Sequence, residues 1–127
     1  MSPRTWRLVL AAAALPFLVL AGWAAADASS FADVVADFGA ENDHLVHDFA
    51  ASSATFGIAL LVAIAAPSWR TPILALAVLW NGLHAISHVV DVGEADPGIV
   101  GPIEAVALLA TTVLLGWLAW LSAQEAR

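Results

Sequence analysis

The sequence contains no cysteine, and only 12% of its 127 residues are charged. The absence of cysteine excludes disulfides, thiolate metal ligands and a cysteine nucleophile. Soluble domains average about a quarter charged and about half apolar residues, whereas 61% of this chain is hydrophobic. The composition therefore predicts a membrane protein.

Basic residues are also scarce, because the chain has four of them against eleven acidic residues. The formal net charge of −7 argues against nucleic acid as a partner. The sequence also has no P-loop, no glycine-rich nucleotide motif and no Ser–His–Asp order that would indicate those enzyme classes. Whether the protein is an enzyme is left open.

Four apolar segments are each about 20 residues long, the length that a helix needs to cross a hydrocarbon core of ~30 Å. They cover approximately residues 6–26, 44–66, 72–92 and 102–122. Pro67 follows the second segment, Thr71 and Pro72 suit the N-cap and first residue of the third, and Gly93 suits its C-cap. The predicted fold is all-α: one antiparallel four-helix transmembrane bundle over residues 1–127.

The segment between the first two spans predicts a short amphipathic helix over residues 30–38. Its apolar positions share one face and are Phe31, Val34, Val35 and Phe38, with Asp33 and Asp37 opposite. Ser30 and Asp33 are close to a capping box. We expect this helix to lie on the outer membrane interface and to close the loop.

The arginines indicate how the protein is oriented. They lie at the two termini and in the turn between the second and third spans: Arg4, Arg7, Arg70 and Arg127. In a four-span protein these places share one side, which the positive-inside rule makes cytoplasmic. Ten of the eleven acidic residues lie in or beside the other two loops. We therefore expect a multi-pass inner-membrane protein, surrounded by the lipid bilayer, with both termini in the cytoplasm.

The first segment also has features of a secretory signal peptide. Arg4 and Arg7 precede an apolar run that ends in three alanines at residues 24–26. That run is long for the core of a signal peptide and long enough to span a membrane. A retained first helix is therefore preferred, and cleavage to a three-helix protein is the alternative.

A polar stripe interrupts the third span. Asn81, His84, His88 and Asp91 follow one another at steps of three, four and three, which places all four on one face of a helix. Ionisable side chains inside a membrane segment are costly and commonly functional. The stripe is therefore the first candidate for a site.

The second span begins with matching residues. His44 and Asp48 are four residues apart on one face, which continues through Ser52 to Thr55, and His47 lies at its edge. The second and third spans are joined by a short turn, so they are expected to be antiparallel neighbours.

Counting residues away from that turn predicts which side chains lie at one depth. The pairs are Asp48 with His88, Ser52 with His84, Thr55 with Asn81, and His44 or His47 with Asp91. The same count across the next loop brings Glu104 to the depth of His88. Polar side chains from three helices are thus expected to converge in a pocket that opens to the outer side.

Histidine and carboxylate together are the ligands of Zn²⁺, Fe²⁺, Mn²⁺ and Cu²⁺. The preferred hypothesis is a transition-metal site for redox chemistry or metal handling, with His44, His84 and His88 as nitrogen ligands and Asp48 as the oxygen ligand. Residues expected to add a ligand or to orient the imidazoles are His47, Asp91, Glu104, Ser52 and Asn81. Glu104 alternatively only stabilises the positive end of the fourth helix.

Three alternatives to a metal site are open. A buried polar network could tie the helices together or handle protons without any metal. Haem b could bind between a histidine of the second span and one of the third, although its propionates would meet several acidic groups. The small size also suits an accessory subunit of a larger membrane complex, or a homo-oligomer.

The polar residues form a recognisable pattern. Residues 42–48 read N-D-H-x3-D and residues 84–91 read H-x3-H-x2-D, which resembles a group of small, largely uncharacterised four-helix membrane proteins of high-GC bacteria. The resemblance covers the second and third spans and implies a four-helix membrane fold but no activity. The positions that it selects are His44, Asp48, His84, His88 and Asp91. His47 stands where that group often has arginine.

Overall fold

The structure, a computed structural model, describes residues 1–35 and 42–125, and the regular secondary structure of these residues is all helical. The elements are α1 (Pro3–Ala26), α2 (Ala28–Val35), α3 (Asp43–Ala65), a 3₁₀ turn (Pro67–Trp69), α4 (Arg70–Val90) and α5 (Val100–Glu125). The four long helices are apolar and long enough to cross a membrane. The predicted all-α, four-helix transmembrane fold is confirmed, and its apolar surface faces the lipid bilayer.

The ends of α4 differ from the sequence prediction. The 3₁₀ turn that begins at Pro67 leads directly into α4 at Arg70, so Thr71 is not the N-cap. The Thr71 hydroxyl instead lies 2.7 Å from the Ser122 hydroxyl of α5. At the other end the Asp91 N–H closes the last turn, so the expected C-cap at Gly93 is also wrong.

The short helix α2 begins two residues earlier than predicted. The Asp27 carboxylate accepts a hydrogen bond of 3.0 Å from the Ser30 N–H, so Asp27 caps α2 and the Ser30 capping box is wrong. Phe31 is buried in the protein, whereas Val34 is exposed. Residues 36–38 of the predicted 30–38 helix lie outside the described residues.

The long helices pack mainly as two pairs, α1 with α3 and α4 with α5, while α3 and α4 contact each other much less. Glycine allows close approach of the chain at two places, one between α1 and α3 and one between the start of α5 and the loop that precedes it. A Cβ at Gly57 of α3 would lie 2.6 Å from Leu18 Cδ2 of α1. A Cβ at Gly101, at the start of α5, would overlap the carbonyl oxygen of Val92. All three of these pairs join spans that are consecutive in sequence, and the pair α3 and α4 packs least closely.

The bundle has two ends that differ in packing. We call the end with the N-terminus, Glu125 and the 3₁₀ turn the terminus end, and the end that carries α2 the α2 end. The core of the terminus end includes Trp6, Leu10, Leu60, Leu74, Leu115 and Leu118, all buried. These side chains come from all four long helices, so this end is filled.

A polar cluster closes the terminus end. The Trp6 indole N–H donates a hydrogen bond of 2.7 Å to Glu125 Oε2. The Arg70 Nη1 lies 3.7 Å from the same oxygen, and the Arg70 guanidinium lies 4.4 Å from the centre of the Trp6 ring. The ammonium group of Met1 pairs with the other Glu125 oxygen. The carboxylate of α5 is thus surrounded by donors from α1 and α4.

Candidate functional site

The α2 end contains a cavity of about 810 Å³, within the range of about 300–1,000 Å³ that is typical of small-molecule sites. It lies between the α1–α3 pair and the α4–α5 pair, and α2 supplies part of its wall. Its aromatic side chains are Phe17, Phe31, Phe49 and Trp80, and its polar ones include Asn81, His84, His88 and Glu104. The cavity therefore combines a largely apolar lining with polar groups from α3, α4 and α5.

The aromatic wall is continuous across four helices, α1 to α4. Phe31 of α2 lies edge-on to Trp23, with ring centres 5.6 Å apart, and 5.3 Å from the ring of Phe49. Trp80 of α4 lies 6.4 Å from Phe49 and 6.0 Å from Phe17. These separations are typical of favourable aromatic pairs. The rings hold one another in place around the cavity.

His84 extends this aromatic wall toward the polar groups. Its imidazole stacks on Trp80, with ring centres 5.3 Å apart and ring planes 15° apart. The same imidazole lies 5.8 Å from Phe49 and 4.7 Å from His88. His84 thus connects the apolar and polar parts of the lining.

His88 and Glu104 join α4 to α5 at the cavity wall. His88 Nδ1 lies 3.2 Å from Glu104 Oε2, and the two side chains are only 14% and 16% exposed. The distance is that of an ion pair, although the two atoms are not aligned as a hydrogen bond. The prediction that Glu104 reaches the depth of His88 is confirmed.

Asn81 is buried below these groups and also joins α4 to α5. Its side-chain amide donates to the carbonyl oxygen of Leu108, at 2.9 Å, and to the hydroxyl of Thr112, at 2.8 Å. The predicted counterpart, Thr55, is instead exposed and donates to the carbonyl oxygen of Ala51 in its own helix. The expected pairing of Asn81 with α3 is therefore wrong.

The polar residues of α3 are divided among different surfaces. Asp48 and Ser52 line the cavity. His44 Nε2 lies 3.7 Å from Asp48 Oδ2, but the His44 side chain is 88% exposed and does not line the cavity. His47 lies in a separate shallow groove between α1 and α3. Asp91 caps α4 and is half-buried outside the cavity lining.

The four predicted metal ligands are thus only partly brought together. His84 and His88 are adjacent and Asp48 shares their cavity, but His44 is directed to the surface. Within residues 1–35 and 42–125, no group of three or more His, Asp or Glu side chains is placed to hold one metal ion. Metal binding stays a prediction.

Sequence reasoning predicted a polar pocket between the helices but missed its aromatic wall. Trp80 had no assigned role, although it contacts Phe17, Phe49, Phe56 and His84. The available signal was the set of rings at mid-span together with small residues such as Ser52 nearby.

Comparison with protein-family models, curated proteins and solved structures gives no match to this chain. Its function must therefore be inferred from the chemistry of the site itself.

Proposed function

We propose that this membrane protein binds a small organic molecule with an apolar ring system in the cavity at the α2 end. The observation that carries the proposal is the 810 Å³ cavity with its aromatic wall. Ligand sites combine an apolar lining with a few polar groups that orient the ligand. Here the rings of Phe31, Phe49 and Trp80 contact the body of the ligand, and His88 with Glu104 orients its polar end.

A direct test measures saturable binding of small bicyclic probes to the protein in nanodiscs of zwitterionic lipid. Three probes of similar shape are 1-methylnaphthalene (neutral), N-methylquinolinium (a cation) and 1-naphthoate (an anion). Empty nanodiscs correct for partition into lipid. The proposal predicts that at least one probe saturates at one molecule per chain. If every probe only partitions, as in empty nanodiscs, the proposal is wrong.

A matched pair of variants locates the binding. Ala107 lines the cavity, whereas Ala110, three residues later on α5 and exposed like Ala107, lies outside the lining. Ala107→Phe fills the cavity and should abolish saturable binding, while Ala110→Phe adds the same side chain elsewhere and should preserve it. Equal loss in both variants would contradict binding in the cavity.

A second candidate function is the binding of a transition metal by His84, His88 and Glu104, with Asp48 as a further ligand. The closeness of the two imidazoles and of His88 to Glu104 favours it. Metal analysis of purified protein should show stoichiometric metal that a His84→Ala/His88→Ala variant loses. Equal, sub-stoichiometric metal in both proteins would remove this candidate. A Soret band in the absorption spectrum would instead indicate haem b.

We infer that the α2 end faces the outside of the inner membrane, because the described arginines lie at the terminus end. The native chain has no cysteine, so single cysteines report orientation cleanly. Ser29→Cys in α2 should react with an impermeant maleimide in intact cells, and Ser68→Cys in the 3₁₀ turn only after permeabilisation. The reverse result would invert the topology. Docking to a larger complex stays a prediction from size alone.

A further inference from the structure

The charged side chains around the cavity are mainly acidic. The described residues that line it include the carboxylates of Glu104 and Asp48 but no arginine or lysine. The described arginines, Arg4, Arg7 and Arg70, belong to the terminus end. From this distribution, which extends the proposed function, we propose that the ligand is an aromatic organic cation.

The aromatic wall suits a cation as well as an apolar ring. The faces of aromatic rings carry partial negative charge and attract cations within about 6 Å, with indole the strongest. Trp80 lines the cavity beside Phe49 and Phe17. A flat cationic ring can lie against these faces while its charge remains close to them.

The polar end of the cavity also favours a positively charged ligand. The Glu104 side chain is only 16% exposed, and its Oε2 atom is shielded from solvent. A carboxylate in such surroundings interacts strongly with a nearby positive group and repels an anion. His84 and His88 also line the cavity, but an imidazole carries a positive charge only when it is protonated, so no described lining residue carries a permanent positive charge. The lining therefore disfavours fatty acids, phosphates and other anionic ligands.

The loops and helix ends around the cavity are also negatively charged. Acidic residues of the described loops and helix ends at the α2 end are Asp27, Asp33, Asp43, Asp91, Glu94 and Asp96. Acidic groups around a cleft raise the local concentration of cations and speed their association. A cationic ligand would thus be attracted toward the cavity before it makes contact.

The test compares the three bicyclic probes on wild type, Glu104→Gln and a control, Glu94→Gln, in the same nanodiscs. Glu94 is an exposed loop residue outside the cavity lining. Glu104→Gln should weaken N-methylquinolinium at least about tenfold, because removing one partner of a poorly solvated charge pair is costly. The same substitution should leave the binding of 1-methylnaphthalene nearly unchanged and strengthen the binding of 1-naphthoate. Glu94→Gln should alter none of them appreciably.

The outcomes separate this inference from the function on which it rests. If Glu104→Gln weakens all three probes equally, or 1-naphthoate binds wild type more tightly than N-methylquinolinium, the inference fails while an organic ligand still stands. If no probe binds saturably, the proposed function itself fails. Retained binding of 1-methylnaphthalene shows that Glu104→Gln is folded. Should that variant not fold, Asp48→Asn takes its place and must selectively weaken the binding of N-methylquinolinium. If Asp48→Asn causes no selective loss, the inference is overturned.

Discussion

The two ends of this bundle are built from the same four helices, but one is filled by side chains and the other contains a cavity. At the terminus end, leucine and tryptophan side chains from all four helices fill the centre, and Glu125 is surrounded by the N-terminus, Trp6 and Arg70. At the α2 end the helix pairs leave a cavity, and Glu104 contacts His88. One end is closed by matched charges, and the other leaves acidic groups beside open space.

The difference suggests that one end contributes mainly to stability and the other mainly to binding. A filled core supplies stability, whereas a cavity gives up packing contacts and so costs stability. The ligand that we propose would occupy this space. We therefore expect substitutions at the terminus end to affect mainly folding, and substitutions at the α2 end to affect mainly binding.

The largest expected effect on stability is at the terminus end. Leu118 is fully buried, so Leu118→Ala should lower the free energy of unfolding by about 2–5 kcal/mol. Leu108 on the same helix lines the cavity, and Leu108→Ala should cost clearly less because part of its side chain already borders empty space. SDS titration of both variants measures the difference. Equal costs would mean that the two ends are packed equally well.

A smaller, local effect is expected in α2. Phe31 is buried between Trp23 and Phe49, so Phe31→Ala should loosen α2 and raise amide exchange there by about tenfold or more. The matched control is Val34→Ala, because Val34 is exposed on the same helix. Hydrogen exchange read by mass spectrometry distinguishes them. If exchange in α2 is unchanged by Phe31→Ala, the docking of α2 does not depend on this ring.

Between the two ends, Asn81 and Thr112 form a polar link. A double-mutant cycle of Asn81→Leu and Thr112→Val should give a coupling energy of ~0.6 kcal/mol, the usual value for polar contacts between membrane helices. Unfolding measurements on both single variants and the double variant supply the cycle. A coupling near zero would show that the hydrogen bond does not join α4 to α5 energetically.

The smallest effect is expected at His44. Its side chain is 88% exposed and its contact with Asp48 is a surface pair, so His44→Ala should change stability by less than about 0.5 kcal/mol. His88→Ala should alter probe binding more, because His88 lines the cavity. Parallel unfolding and binding curves test both. If His44→Ala removes bound metal as fully as His88→Ala does, His44 belongs to the site after all.

Much of the fold could be predicted because length and hydropathy alone define membrane spans. Counting residues away from a turn also predicted correctly that Glu104 lies at the depth of His88, as the contact between them shows. The count contains no information on the direction in which a side chain points around its helix. Thr55 and Asn81 were therefore placed at one level but face different surroundings.

The packing of the helices, and hence the cavity, depended on details that hydropathy does not encode. Gly57 allows α3 to pack closely on α1, and α3 contacts α4 much less. Asn81 is satisfied by α5 rather than by α3. The polar stripe of α4 therefore meets Glu104 of α5, while His44 on α3 points to the surface.

The most direct test of the central claim is an experimental structure of the protein in nanodiscs with N-methylquinolinium present. The ring should lie against Phe49 and Trp80, with its charged nitrogen directed toward Glu104. Density for the probe only on the outer, lipid-facing surface of the helices, or a cavity filled by side chains, would contradict the account.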